Sequence, residues 1–213
     1  MGVLVAERTV DVAPRVSGLI TQVKVRPGGH VKAGAVLATL DARALTQQMA
    51  LALAEERKES DRAGRRQKLF EASLASKEEA ETERWESQAK LARLGEARVR
   101  VDEAMLRAPF DGTVVGRFVE PGTLVAAGAP SIRVVSTGKP ILRFGVSPEE
   151  ARTLPVGSVV SFRDASSCDD AHYRARVVNV SSEVDRTVER IVVDAEADDE
   201  PAHFRSGRRV RVS

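Results

Sequence analysis

Residues 18–35 read GLITQVKVRPGGHVKAGA, and residues 112–129 read GTVVGRFVEPGTLVAAGA. Aligned without gaps at an offset of 94, the two stretches share eight identities in 18 positions, including Pro27-Gly28 with Pro121-Gly122 and Ala33-Gly34-Ala35 with Ala127-Gly128-Ala129. A self-similarity of this density marks an internal repeat. Leu19 to Val25 is rich in β-branched residues and reads as a short strand. Pro27-Gly28 and Pro121-Gly122 are turn dipeptides, because proline presets φ and glycine accepts a positive one. Val31 to Leu40 gives a second extended run, closed by Asp41. One copy is too small to bury its own apolar face, so two copies are expected to pair as a flattened β-sandwich built from residues 13–41 and 106–137.

The sequence between the copies is of another kind. Residues 42–105 contain no proline, although the chain has nine, and 13 of their side chains are basic against 13 acidic. Helix formers with interleaved charge predict helix throughout. A single helix of 64 residues would carry its end roughly 95 Å away at ~1.5 Å per residue. The second copy must return to the first, so an antiparallel hairpin is expected, bending near Ser73 to Ser76. Asp41 is expected to cap the first helix, and Ser76-Lys77-Glu78-Glu79 has the spacing of a capping box for the second. The expected seam is thin: Leu45, Met49, Ala52, Ala63 and Phe70 face Ala80, Leu94, Ala97, Val101 and Ala104.

Beyond Ser136-Thr137-Gly138, five runs read as strands: 141–146, 158–162, 173–180, 191–195 and 208–212. Ser147-Pro148 starts one short helix, with proline at its first position. A small β-barrel is expected over residues 138–213, with residues 1–12 adding a strand. The predicted fold is therefore a mixed β and α, elongated, multi-module chain: a split sandwich, an α-helical hairpin over 42–105 and a barrel.

Composition excludes several functions. With 33 Lys+Arg against 31 Asp+Glu, the net charge is only +2, which argues against a nucleic-acid partner. Eight aromatics in 213 residues favour small modules filled by Val, Ala and Leu over one large core. Cys168 is the single cysteine and cannot form an intramolecular disulfide. No stretch approaches the 18 apolar residues of a membrane span, and the first residues lack the apolar region of a signal peptide.

These parts together resemble the periplasmic adaptor subunits of tripartite efflux pumps, the membrane fusion or HlyD-like proteins. The resemblance rests on Val16-Ser17-Gly18-Leu19-Ile20, the turns at Pro27-Gly28 and Gly34, Leu40-Asp41, and Leu106-Arg107-Ala108-Pro109-Phe110-Asp111-Gly112-Thr113-Val114. Asp185-Arg186-Thr187 and Phe204-Arg205-Ser206-Gly207 look like variants of the family's barrel signatures. The resemblance implies that the repeat copies are halves of a lipoyl-like (biotinyl-like) domain with the hairpin inserted between them. It also implies that Arg65, Leu69 and Ser76 dock a TolC-like outer-membrane channel, since they have the family's tip spacing. An inner-membrane pump, of resistance-nodulation-division (RND) type first, is implied as the other partner. A hexameric ring in the periplasm, associated with the inner membrane and exporting drugs or other small molecules, is implied as the assembly. The family's membrane-proximal domain and membrane anchor are expected to be absent from this chain, which stops at Ser213 about where the barrel closes.

Two alternatives stand beside this reading. One is an adaptor of an ABC-type exporter or secretion system. The other is a carrier-domain subunit of a biotin- or lipoate-dependent enzyme. The latter is disfavoured because no Met-Lys-Met or Asp-Lys-Ala site occurs at the Asp41 or Leu106 junctions, so no cofactor is expected. No catalytic constellation is found. His30, His172 and His203 lie far apart, and Cys168-Asp169-Asp170 with His172 reads as a surface loop, so no metal site is expected.

Overall fold

The computed structural model describes residues 1–164, 172–185, 190–198 and 207–212. In chain order the first elements are β1 (Gly2–Val5), β2 (Thr9–Val12), β3 (Gly18–Val23), β4 (His30–Val31) and β5 (Val36–Leu40). The helices α1 (Arg43–Glu71) and α2 (Lys77–Glu103) follow. Next come β6 (Met105–Arg107), β7 (Gly112–Arg117), β8 (Leu124–Val125), β9 (Ile132–Ser136) and β10 (Ile141–Val146). The last elements are α3 (Pro148–Thr153), β11 (Val159–Asp164), β12 (His172–Asp185), β13 (Arg190–Ala197) and β14 (Arg208–Val212). Two compact units divide the chain, the first around the barrel and the second comprising residues 11–110 and 114–134.

The sandwich has two four-stranded sheets, ordered β6-β5-β3-β8 and β2-β9-β7-β4. Each sheet mixes strands from both repeat copies, and the two orders are images of each other: β3 corresponds to β7, β4 to β8, and β5 to β9. Cross-copy hydrogen bonds obey the same relation. The Gly28 N–H donates to the Val114 carbonyl at 2.7 Å, and the Gly122 N–H donates to the Ile20 carbonyl at 2.8 Å. Gly34 donates to Ala108 and Gly128 donates to Pro14, both at 2.8 Å. All four glycines have positive φ, between 78° and 90°, which is why the repeat retains glycine there. The shared core includes Ile20, Leu37, Leu106, Val114, Ile132 and Val134. It accepts Leu45 from the first turn of α1, which roots the hairpin in the sandwich.

Residues 1–12 divide. β1 enters the barrel as expected, whereas β2 lies beside β9 in the sandwich. The reason is the pseudo-symmetry: β6 covers the outer edge of β5, and the equivalent edge of β9 needs a partner of its own. The Ser131 N–H donates to the Val12 carbonyl at 3.0 Å, and the Arg133 guanidinium grips Asp11 through two bonds of 2.6 and 2.8 Å.

The barrel is closed and antiparallel, in the order β1-β10-β13-β12-β11-β14. Alternation in β10 sends Leu142, Phe144 and Val146 inward, while Arg143 reaches Asp194 on β13 at 2.7 Å. Phe162 and Tyr173 stack inside the β11–β12 pair with ring centroids 5.5 Å apart. β12 runs longer than the expected strand over 173–180, and it does so through register shifts between Val177 and Asn179 and between Val180 and Val184. Ser147 caps α3 with a full capping box to Glu150. Cys168-Asp169-Asp170, Arg186-Thr187, His203 and Phe204-Arg205-Ser206 lie outside the described residues.

Candidate docking site at the hairpin tip

The hairpin's inner face follows a heptad. Along α2 and its C-cap, buried and half-buried residues recur at alternating steps of three and four: Ala80, Glu83, Ser87, Lys90, Leu94, Ala97, Val101 and Ala104. In α1 the same steps connect the half-buried Leu45, Met49, Ala52, Glu56, Glu59, Ala63 and Arg66. The expected seam residues fall on this register, except that Phe70 is 37% exposed in the last turn of α1. What the apolar pattern missed is a polar middle, occupied by Glu56, Glu59, Glu83, Ser87 and Lys90. Lys90 bridges to Glu55 at 2.8 Å, and that contact holds the Glu55 carboxyl below its ordinary range.

Asp41 does not cap α1 in the expected manner. The N-cap is Ala42, with no side-chain cap bond, and Asp41 instead accepts the Arg43 N–H at 3.1 Å and the Arg43 guanidinium at 2.6 to 3.0 Å. That guanidinium, first, and the Arg43 backbone N–H, second, pull the Asp41 carboxyl down to about 2.

At the far end the expected bend is present. Ala72 closes α1, and Ser73 adopts φ 59°, the left-handed conformation of a residue just past a helix end. The Ser73 N–H donates to the Phe70 carbonyl and the Leu74 N–H to the Leu69 carbonyl, both at 2.8 Å. Those two bonds form a Schellman motif, here with serine where glycine is usual. Ser76 then opens α2: its hydroxyl accepts the Glu79 N–H at 3.2 Å, and its own N–H donates to the Glu79 carboxylate at 3.0 Å. The Ser76 N–H, followed by the charge of Arg66, lowers the Glu79 carboxyl below its ordinary range.

The three expected docking residues therefore occupy one tip but do different things. Arg65 and Leu69 sit one turn apart on α1 and are exposed, Leu69 by 40%. Among the described residues no carboxylate pairs with Arg65. Ser76 is engaged by its capping box. Leu74, 74% exposed at the apex, is an apolar contact that the sequence spacing did not single out. The tip thus offers a free guanidinium and two exposed leucines on a backbone braced by two caps.

A sandwich split by a helical hairpin, together with a closed barrel, is the architecture of the membrane fusion, or periplasmic adaptor, proteins. The CzcB-like barrel-sandwich hybrid domain matches residues 8–136, and the chain belongs to that family. It is 28% identical over 176 residues to the cobalt-zinc-cadmium resistance protein CzcB of Cupriavidus metallidurans, covering 76% of this chain and 34% of that protein. The chain thus spans about a third of the length of the curated relative. Among solved structures it resembles a MacA-MexA chimera carrying the Pseudomonas aeruginosa MexA α-hairpin domain, with a TM-score of 0.86, 25% identity, and coverage of 98% of this chain and 75% of that one. It also shares its fold with ZneB of Cupriavidus metallidurans, with a TM-score of 0.61, 19% identity, and coverage of 99% and 94%. No helix among the described residues is long and apolar enough to cross a membrane.

Proposed function

We propose that this chain is the sandwich, hairpin and barrel portion of a periplasmic adaptor that links an RND-type inner-membrane transporter to a TolC-like outer-membrane channel. The observation that carries the reading is the tip itself, where Arg65, with no carboxylate partner among the described residues, and an exposed Leu69 share a helix face beside the capped bend. A guanidinium that no described carboxylate holds is available for a carboxylate or carbonyl of another protein, and Leu69 with Leu74 supplies apolar area for the same contact. Copies pack side by side as a ring, a hexamer by resemblance, and form a sealed conduit. The protein is not an enzyme on this reading, and its cargo passes unchanged. The name of the related CzcB favours divalent metal ions among the small solutes exported.

Arg65→Asp or Leu69→Ser in cells that depend on this adaptor tests the docking role. Both substitutions sit on an exposed helix face, so folding and abundance are expected to be kept while export falls to the level of the deletion. Resistance and efflux rates equal to wild type in both variants would refute the assignment.

A further inference from the structure

Strand alternation divides the barrel's side chains between an inner and an outer face. Leu4, Leu142, Phe144 and Val193 face the core, so Val3, Arg143, Gly145 and Val192 face outward on neighbouring strands. In register, Val3 of β1 lies between Arg143 of β10 and Arg209 of β14, and Gly145 lies beside Val192 of β13. A groove of about 560 Å³ runs over these two rows. Its floor is apolar, made by Val3, Val192 and the bare backbone at Gly145, and Arg143, Arg190 and Arg209 stand around it. The backbone does not require glycine at position 145, since its φ lies outside the left-handed region. Packing requires it: a Cβ there would lie 3.1 Å from Arg190 Cδ and 3.2 Å from Arg190 Cβ. The stem of Arg190 thus lies across Gly145, and its Nη1 donates to the Gly145 carbonyl at 3.1 Å. Arg143 is held as well, through bonds from Nε and Nη2 to Asp194 at 2.7 and 3.2 Å. Each of these guanidiniums is fixed by one edge and keeps further N–H donors without a partner among the described residues. Arg209 is exposed, and among the described residues no carboxylate holds it and none lines the groove.

We propose that this groove binds a single-chain amphiphile with a carboxylate head, of the fatty-acid kind, taken up as a monomer. The volume falls within the range of about 300–1,000 Å³ that small-molecule sites span, and the floor supplies the apolar contact for an alkyl chain. Charge complementarity selects the head. Three cations with no anion in the lining repel a cationic ligand, and a neutral one would leave the pre-positioned donors unused. A planar carboxylate matches the paired N–H groups that a guanidinium presents along one edge. The groove and the hairpin tip are probed by different variants, so this site and the export reading can fail separately.

Sodium decanoate, kept monomeric and titrated into the 213-residue chain, tests it by calorimetry and by amide NMR shifts. One saturable site with a Kd of about 10⁻⁴–10⁻³ M is expected for a ligand of about twelve non-hydrogen atoms. The largest shifts should fall at Val3, Gly145 and Val192. Arg209→Gln and Arg190→Gln, both on the exposed rim, should keep the wild-type thermal melt and each weaken binding by about three- to tenfold. Decanol, with the same chain and no charge, should bind about tenfold more weakly than decanoate. Absence of binding overturns the site, as do equal affinity for decanol, shifts confined to other residues, or undiminished affinity in either arginine variant. An anionic bilayer is the other source of such chemistry. Retention of the chain on phosphatidylglycerol vesicles without binding of monomeric decanoate would assign the surface to a membrane and overturn the proposal.

Discussion

Asp41 closes the first repeat copy, and its carboxylate is clamped by the residue two positions on. Because the folded pKa is depressed from 3.8 to about 2, the clamp's contribution is fully present above pH 4 and is lost as pH falls through about 2. Replacing Arg43 by Gln should return the Asp41 carboxyl to its ordinary range, as read by its NMR titration. The stability difference between wild type and Arg43→Gln should vanish at the acid end of that window. Arg43 is exposed and Asp41 only half-buried, so salt should shrink the effect. Arg65 lies at the opposite extreme, with no carboxylate to hold it among the described residues. The contrast separates a charge used within the chain from one left available to a partner, a distinction that spacing alone could not draw because both arginines look alike in sequence.

Among the elements, the hairpin was legible in outline and obscure in its interior. The proline-free run over residues 42–105, the balanced charge and the Ser76-Glu79 spacing predicted two helices and their bend, and both are present. The stop of α1 was harder to see, since Ser73 occupies the left-handed position where glycine would have been the signal. The seam's middle was hidden for a related reason: Glu59, Glu83 and Lys90 occupy heptad positions, and an apolar pattern search skips them. A search for any residue at steps of three and four from Leu94 would have found Glu83. Ser76 carries a structural duty that must be separated from docking. Ser76→Ala should lower stability by about 1 kcal/mol in urea denaturation, while Ser76→Asp, an equally good cap, should restore it. Export lost in both variants would assign Ser76 to the channel contact, and export lost only with the cap would leave it a brace.

For the whole molecule, the repeat was the most informative signal, because its glycines and prolines mark turns that both copies reuse. Its strand exchange was not legible: identical turn chemistry is compatible with two self-contained copies or with interleaved ones. The same ambiguity misplaced β2, whose membership of the sandwich follows from a symmetry visible only once the sheets are ordered. The bonds from Gly28 to Val114 and from Gly122 to Ile20 settle the matter in favour of interleaving. Fragments 1–72 and 73–213, produced together, should therefore assemble into a non-covalent complex that co-elutes on gel filtration with near-native helical content. Independent elution of the two fragments would contradict it. The interleaving also governs how the chain acquires its shape during synthesis. Neither half of the sandwich has its partner until the ribosome has made the second half, so the first strands must wait for most of the 213 residues to emerge. Closing a floppy 64-residue connection, compared with one of only a few residues, would cost roughly 2–3 kcal/mol more in chain entropy. The hairpin, made of local contacts that form early, removes most of that cost and delivers the late half to the early one. The hairpin is thus the chain's own device for bringing the two halves of the sandwich together in time.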